Sequence, residues 1–146
     1  MATLAHVLQD KTHNTVHCVS PGSSVLEATW KMNDHHIGSL LVLDGQQIVG
    51  IISERDILQR VVADEKDPRH VTVGDVMTTD VIVCRPCTSL EDASAIMHNR
   101  RVRHLPVVDE DGRLLGVISI GDLNARHASE QETTIHYLHE YLYGRV

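Results

Sequence analysis

Two short Ser-x-x-Asp motifs hold the residues of this chain whose types and spacing best suit ligand chemistry. Ser53 and Asp56 form the first motif, and Ser119 and Asp122 form the second, 66 positions later. A serine and an aspartate at this spacing could cap a helix, because both side chains then satisfy free backbone amides. They could instead bind a ligand, since a helix N-terminus attracts anions and a carboxylate accepts sugar hydroxyls. Spacing alone leaves both interpretations open.

The two motifs belong to a duplicated unit. The first copy reads Gly-Ile-Ile-Ser-Glu-Arg-Asp-Ile from Gly50, and the second reads Gly-Val-Ile-Ser-Ile-Gly-Asp-Leu from Gly116. Upstream, the stretch from Leu40 to Asp44 returns as Leu105 to Asp109. Such a repeat is typical of one supersecondary unit used twice, in which neither copy buries its apolar face alone. The function is therefore expected in the paired unit.

Each copy shows the order β-α-β-β-α, which predicts an α/β (α+β) fold. A short β-prone run, a capping box that opens a helix, a β-hairpin and a second helix follow one another. The β-prone runs are Val16 to Val19 and Val81 to Cys84, and the capping boxes are Ser24 to Glu27 and Thr88 to Glu91. Apolar residues at helical spacing predict the buried faces. These residues are Val25, Ala28 and Met32, then Leu90, Ala93 and Met97, and in the second helix of copy one Ile57, Leu58, Val61 and Val62. That helix is expected to stop near Asp67-Pro68.

The chain divides into two repeats and a C-terminal extension. We expect repeat 1 at residues 1–70, repeat 2 at residues 71–128 and a helical extension at residues 129–146. The stretch from Thr72 to Met77 bridges the copies, with Leu4 to Leu8 as its counterpart at the start. The extension begins with another capping box at Ser129 and carries an apolar stripe of Ile135, Leu138 and Leu142. We expect this stripe to pack on its own domain, with a second chain as the alternative.

The composition indicates an acidic globular protein without affinity for nucleic acid. Thirteen Lys and Arg residues stand against 20 Asp and Glu residues, giving a formal net charge of −7 at pH 7. Binding a phosphate backbone requires a basic face, and stacking on bases requires aromatic side chains, which make up only 3% here. No signal-peptide pattern and no apolar run of roughly 20 residues is present, so no membrane association is expected. Three cysteines suggest reduced thiols in the cytoplasm.

The doubled Gly-h-h-Ser-x-x-Asp motif, preceded by Leu-Pro-Val-Val-Asp at Leu105 to Asp109, resembles the CBS domain, named after cystathionine β-synthase. Together the copies resemble a CBS pair, or Bateman module, from about residue 5 to 127. The resemblance implies two repeats around a pseudo-twofold axis and a regulatory, non-enzymatic role. It also implies clefts for AMP, ADP, ATP, NAD or S-adenosylmethionine, a homodimer and a regulated partner protein that the sequence does not identify.

The resemblance also implies roles for particular residues. It assigns ribose binding to Asp56 with Ser53 in one cleft and to Asp122 with Ser119 in the other. Phosphate contacts are expected from Arg55, Arg103 and His104, acting together, whereas Gly121 supplies no charge in copy two. The Asp56 cleft is therefore expected to bind a phosphorylated adenosine more tightly. Aliphatic residues would line the adenine pocket, and these are Val19, Pro21, Cys84 and Pro86.

Other kinds of site are weakly supported. The 11 histidines include His35-His36 and the pair His136 and His139, but no set has the fixed ligand spacing of a metal site, so none is expected. Cys84 and Cys87 imitate a redox Cys-x-x-Cys motif without its βαβ surroundings. No nucleophile elbow or phosphate loop indicates an enzyme. A nucleotide-independent interaction module, or a module whose clefts bind nothing, remains open.

Overall fold

The computed structural model describes residues 2–11 and 16–143. These residues form two compact units. Residues 16–83 and 108–115 form the first, here called the Asp56 unit. Residues 2–11, 84–107 and 116–143 form the second, the Asp122 unit. Each Ser-x-x-Asp motif thus lies in its own unit, and the N-terminal segment belongs to the unit that holds most of the second repeat.

The chain contains both helices and strands, which confirms the predicted mixed fold class. In chain order the elements are α1 (Leu4–Asp10), β1 (Cys18–Val19), α2 (Val25–His35), β2 (Ser39–Asp44), β3 (Gln47–Ser53), α3 (Glu54–Ile57), α4 (Val73–Val76), α5 (Leu90–Arg100), β4 (His104–Val108), β5 (Leu114–Ser119) and α6 (Ile120–Tyr143). The strands form a three-stranded sheet in the order β1-β2-β3 and a two-stranded sheet of β4 and β5.

The β2–β3 hairpin sets the position of the first motif. β2 runs antiparallel to β3, with Ser39 opposite Ser53 and Val42 opposite Gly50. The turn at Asp44 and Gly45 forms as predicted, and Gly45 has a φ of +64°, which a glycine adopts without steric cost. Ser53 is consequently the last residue of β3 and the N-cap of α3.

The first strand of each repeat is shorter than the sequence predicts. β1 contains only Cys18–Val19, and the predicted strand from Val81 to Cys84 is wrong, since it makes one isolated bridge, between Cys84 and Val107. In the first repeat the Leu41 amide donates to the carbonyl of His17, the residue before β1, at 3.4 Å. The second repeat has Pro106 at the corresponding position, and proline has no N–H to continue the ladder.

Serine side chains cap the first helix of both repeats. The Ser24 hydroxyl accepts a hydrogen bond from the amide three residues on, at 3.1 Å, as predicted. In the second repeat the cap is Ser89, with the same bond at 3.1 Å, and the predicted cap at Thr88 is wrong by one residue. The Thr88 hydroxyl instead accepts from the Arg85 amide at 3.3 Å and so closes the preceding turn.

Most of the predicted apolar faces are buried. The confirmed core residues are Val25, Ala28, Met32, Val61, Ala93 and Met97, while Leu90 is half-buried.

Leu58 and Val62, however, are 61% and 60% exposed, so their predicted burial is wrong. Beyond α3 the chain continues as a π-helical turn from Leu58 to Val62, in which Val61 is buried while Leu58 and Val62 are exposed. The helix also ends well before Asp67-Pro68.

α1 and α4 dock on their own units in the same manner. Backbone bridges join Thr3 to Ser89 in the Asp122 unit and Thr72 to Ser24 in the Asp56 unit. This agrees with the predicted correspondence of the two segments. The segment after α1 therefore occupies a position in the Asp122 unit that corresponds to the position of the segment after α4 in the Asp56 unit.

α6 is one helix of 24 residues from Ile120 to Tyr143, and the prediction of a new helix starting at Ser129 is wrong. No glycine or proline interrupts residues 122–143, so nothing in the sequence stops the helix that begins after Ser119. Ile135, Leu138 and Leu142 are 65%, 54% and 67% exposed, and their predicted packing on their own domain is also wrong. Within residues 2–11 and 16–143, no helix combines the length and apolar character that crossing a bilayer requires.

Candidate functional site

Ser53 and Asp56 form a reciprocal helix cap at the start of α3. The Asp56 amide donates to Ser53 Oγ at 3.2 Å. In return Asp56 Oδ2 accepts from the Ser53 amide at 3.0 Å and from the Ser53 hydroxyl at 3.1 Å. The predicted capping role of this motif is therefore confirmed. Asp56 is only 7% exposed, so the cap fixes a carboxylate that is largely withdrawn from water.

A third donor reaches Asp56 from the segment after α4. Thr78 Oγ1 donates to Asp56 Oδ1 at 3.0 Å. The backbone of Thr78 is held by two hydrogen bonds with Ile51, of 2.9 and 2.8 Å. Three neutral donors thus occupy both oxygens of a carboxylate that has about four acceptor positions. Thr78 was not predicted from the sequence, because it lies 22 positions from the Asp56 that it contacts.

The glycine of the motif makes this contact possible. A Cβ atom on Gly50 would lie 2.6 Å from Met77 Sδ and 2.9 Å from the Thr78 carbonyl oxygen. A glycine inside a strand often marks such a close approach of another backbone, which is the sequence feature that could have indicated Thr78. Arg60 fixes the same segment, since its Nη1 donates to the carbonyls of Val76 and Met77 at 2.8 and 3.1 Å.

Ser119 and Asp122 repeat the cap in the Asp122 unit, but the additional donor is an ammonium group. Asp122 N donates to Ser119 Oγ at 3.0 Å, and Ser119 N donates to Asp122 Oδ2 at 2.8 Å. Lys11, the residue after α1, places its Nζ 2.9 Å from Asp122 Oδ2 and 2.8 Å from the Val117 carbonyl oxygen. Lys11 was not predicted from the sequence either, where Gly121 in the motif supplies no charge. The two carboxylates are thus held by different chemistry.

The charges around Asp122 act on one another. Partial burial raises the pKa of Asp122, but the hydrogen bonds from Ser119 and the Lys11 ammonium outweigh this effect, so the pKa is lowered overall. Partial desolvation lowers the pKa of His104, and the positive charges of Lys11 and Arg103 lower it further, against an opposing effect of Asp122. His104 therefore lies within the electrostatic influence of Asp122, Lys11 and Arg103 in this unit. The expected cooperation of Arg103 and His104 with Arg55, an exposed residue of α3 in the Asp56 unit, stays a prediction.

The residues predicted to line an adenine pocket contribute to packing in their own units. Val19 is half-buried and packs against the hydrophobic core of the Asp56 unit, where the Pro21 carbonyl accepts from the Gly74 amide at 2.9 Å. In the Asp122 unit Cys84 is buried, and the Pro86 carbonyl accepts from the backbone of α1. The pocket itself remains a prediction.

The other candidate chemistries gain no support. Burial raises the pKa of the Cys84 thiol, whereas a reactive cysteine requires a lowered pKa. Among the described residues, no three His, Cys, Asp or Glu side chains come close enough together to hold a metal ion. His36 ends α2 in a left-handed conformation, and His35 stacks on His17 with ring centroids 3.9 Å apart. The Asp56 and Asp122 arrangements are the strongest candidates for a ligand site.

Comparison with known proteins identifies relatives of both repeats. The family model of the CBS domain matches residues 11–63 and 73–127. The CBS domain-containing protein YhcV of Bacillus subtilis is 33% identical over 124 residues, which are 85% of this chain and 87% of that protein. Three other curated relatives are longer, and this chain spans 54%, 65% and 61% of their lengths.

Solved structures resemble both the sequence and the fold. A CBS-domain protein from Burkholderia ambifaria is 38% identical, with a TM-score of 0.76 over 89% of this chain and 96% of that one. CBSX2 from Arabidopsis thaliana, solved in complex with AMP, is 29% identical, with a TM-score of 0.73 over 90% of this chain and 99% of that one. One structurally similar protein thus binds an adenosine monophosphate.

Proposed function

The chain belongs to the CBS-domain family, and we propose that it is a regulatory module that binds an adenosine nucleotide and changes conformation on binding. One observation carries this proposal. Asp56 and Asp122 each accept a hydrogen bond from the serine three residues before them, at the point where a strand passes into a helix. The structural similarity to an AMP complex supports an adenosine ligand. In this role the module acts on a partner protein and is not itself an enzyme.

Asp56 is the proposed ribose ligand of the first site. Its three partners use three of about four acceptor positions, which leaves room for a sugar hydroxyl. Neutral donors hold the carboxylate without compensating its charge, so it keeps its strength as an acceptor of hydroxyl groups. Ser53 is proposed to assist at the sugar and Arg55 at the phosphate, and Val19 and Pro21 are proposed to contact adenine.

Asp122 is the proposed ribose ligand of the second site, with Ser119 beside it. His104 lies in its electrostatic surroundings, and Arg103 and His104 are proposed as phosphate contacts. Cys84 and Pro86 are proposed to contact adenine. AMP, ADP and ATP are the favoured ligands, and NAD and S-adenosylmethionine share the same ribose.

The segment that carries Thr78 is the proposed moving part of the Asp56 unit. A ribose hydroxyl that takes the remaining acceptor position of Asp56 Oδ1 shares this oxygen with the Thr78 hydroxyl. A ligand can shift a conformational equilibrium only as far as it binds the two states unequally, and the crowding of two hydroxyls at one oxygen is the proposed source of that difference. A partner protein would recognise the shifted state of the module, which we propose to be a homodimer in the cytoplasm.

Thermal-shift titration with AMP, ADP, ATP, NAD and S-adenosylmethionine tests the proposal. A ligand at about 100 times its dissociation constant adds roughly 2.7 kcal/mol to the free energy of unfolding, a rise of several degrees in Tm. Asp56→Ala and Asp122→Ala each remove one helix cap, so each variant is the structural control for the other. We expect the larger loss of ligand-induced stabilisation in Asp56→Ala. Equal losses in both variants would contradict the proposed inequality of the sites.

A nucleotide-independent interaction module is the second candidate function. The exposed Ile135, Leu138 and Leu142 on α6 favour it, because they recur at helical spacing on one face. This function predicts no thermal shift with any of the five ligands, in the wild type and in both aspartate variants alike.

A further inference from the structure

Two ion pairs join Lys11 and its neighbour Asp10 to the first two turns of α6. Lys11 pairs with Asp122 at 2.9 Å, and its neighbour Asp10 pairs with Arg126. Asp122 and Arg126 are four residues apart on α6, so they lie one helical turn from each other. Two consecutive residues of opposite charge therefore meet two complementary charges on α6, and this arrangement fixes the position of the Lys11 backbone.

The corresponding place in the Asp56 unit has a different donor. Thr78 follows the docked helix α4 there, and its hydroxyl donates to Asp56 at 3.0 Å. The ammonium of Lys11 follows the docked helix α1 and meets Asp122. The carboxylate of Asp122 is consequently charge-compensated, whereas the described partners of Asp56 are neutral. Both Lys11 Nζ and the Ser119 amide contact Asp122 Oδ2, so a sugar hydroxyl that approaches Asp122 meets a carboxylate whose charge a cation already compensates.

Lys11 also retains the capacity to bind an anion. An ammonium group has three N–H donors, and Lys11 directs them to two acceptors among the described residues, Asp122 and the Val117 carbonyl oxygen. Its side chain is 21% exposed, so solvent reaches it. Lys11 and Arg103 both contribute positive charge at His104. A phosphate oxygen that binds Lys11 would therefore lie in a region of positive charge.

We propose that Lys11 makes the Asp122 site select phosphorylated over unphosphorylated adenosine ligands. This inference rests on the proposed nucleotide-binding function and adds a specificity-determining residue to it. The phosphate accepts a hydrogen bond from Lys11 and draws the ammonium away from Asp122 Oδ2, which makes the carboxylate a stronger acceptor for the ribose hydroxyls. Adenosine itself has no anion to offer, so its ribose meets a carboxylate whose charge Lys11 still compensates. The Asp56 site, held by the Thr78 hydroxyl, discriminates less.

Calorimetric titration with AMP and with adenosine tests this inference. The Asp56→Ala chain reports the Asp122 site alone, and it is compared with Asp56→Ala carrying Lys11→Met in addition. We expect AMP to bind at least about tenfold more tightly than adenosine when Lys11 is present, as one charge-assisted hydrogen bond provides. The ratio should fall by about that factor with Lys11→Met, which leaves only the contribution of Arg103 and His104 to phosphate binding, and Lys66→Met, which alters an exposed lysine, should leave it unchanged.

Two readouts separate this inference from the proposed function. A wild-type chain that binds neither AMP nor adenosine overturns both. A chain that binds AMP with an affinity ratio unaffected by Lys11→Met overturns the role of Lys11 alone. If Asp56→Ala does not fold, the same titrations are followed at the Ser119 amide by NMR in otherwise wild-type chains. Without any ligand, Lys11→Met should raise the pKa of the Asp122 carboxyl in an NMR titration, and an unchanged pKa would also overturn the inference.

Discussion

Replacing Thr78 with valine removes one hydroxyl and leaves the shape of the side chain almost unchanged. In the wild type this hydroxyl donates to Asp56 Oδ1 at 3.0 Å, and Asp56 is only 7% exposed. Water therefore cannot readily replace the lost donor. A hydrogen bond to a charged group contributes about 1.5–3 kcal/mol, so Thr78→Val should reduce the free energy of unfolding by roughly that amount. For a chain of this length the Tm should fall by about 4–10 °C.

Urea denaturation followed by circular dichroism at pH 7 measures this loss. Thr79→Val is the matched control, because Thr79 is the adjacent residue of the same type and is exposed. An exposed substitution of this kind should stay within about 0.5 kcal/mol of the wild type. If Thr78→Val behaves like Thr79→Val, the hydroxyl does not hold the buried carboxylate, and the role of the segment after α4 would have to be abandoned.

Three further predictions follow from the packing and charge of the two units. Gly50→Ala should cost about 1–3 kcal/mol through overpacking, since its Cβ would lie 2.9 Å from the Thr78 carbonyl oxygen, whereas Gly22→Ala, with nothing within 4 Å, should be close to neutral in the same denaturation assay. The lowered pKa of Asp122 gives stability that is present above the unfolded pKa of 3.8 and lost as the pH falls through the folded value. Lys11→Met should accordingly destabilise the chain by about 1 kcal/mol at pH 7 and by much less near pH 3, and a pH-independent difference would exclude the ion pair as its cause. The Cys84 thiol should react with a maleimide far more slowly than the exposed Cys87, and equal rates would contradict the burial of Cys84.

The duplicated motif was sufficient to predict the features that depend on local sequence. A serine before each helix and an aspartate three residues into it are local signals, so both caps at Asp56 and Asp122 were found. The hairpin turn at Gly45 was equally clear, because it needs a residue that tolerates a positive φ. These features depend on interactions within a few residues of the chain.

The missed features depend on contacts between residues that are distant in sequence. Thr78 lies 22 positions from Asp56, and Lys11 more than 100 positions from Asp122, and neither belongs to the repeated motif. The π-helical turn from Leu58 to Val62 is likewise not revealed by any periodicity of the sequence. The second-repeat strand was overestimated because its β-prone residues met Pro106 on the neighbouring strand, which has no amide to donate. The sequence thus identified Asp56 and Asp122, but not Thr78 and Lys11, the residues that make the surroundings of the two carboxylates different.

The most direct test of nucleotide binding is calorimetric titration of AMP into the Asp122→Ala chain, in which the Asp56 site remains intact. The proposed function predicts saturable binding of one AMP per chain, and loss of this binding when Asp56→Ala is added. Circular dichroism of both variants confirms that they are folded before titration. Absence of saturable AMP binding in the wild type, or binding that survives Asp56→Ala unchanged, would contradict the assignment of Asp56 as the ribose ligand.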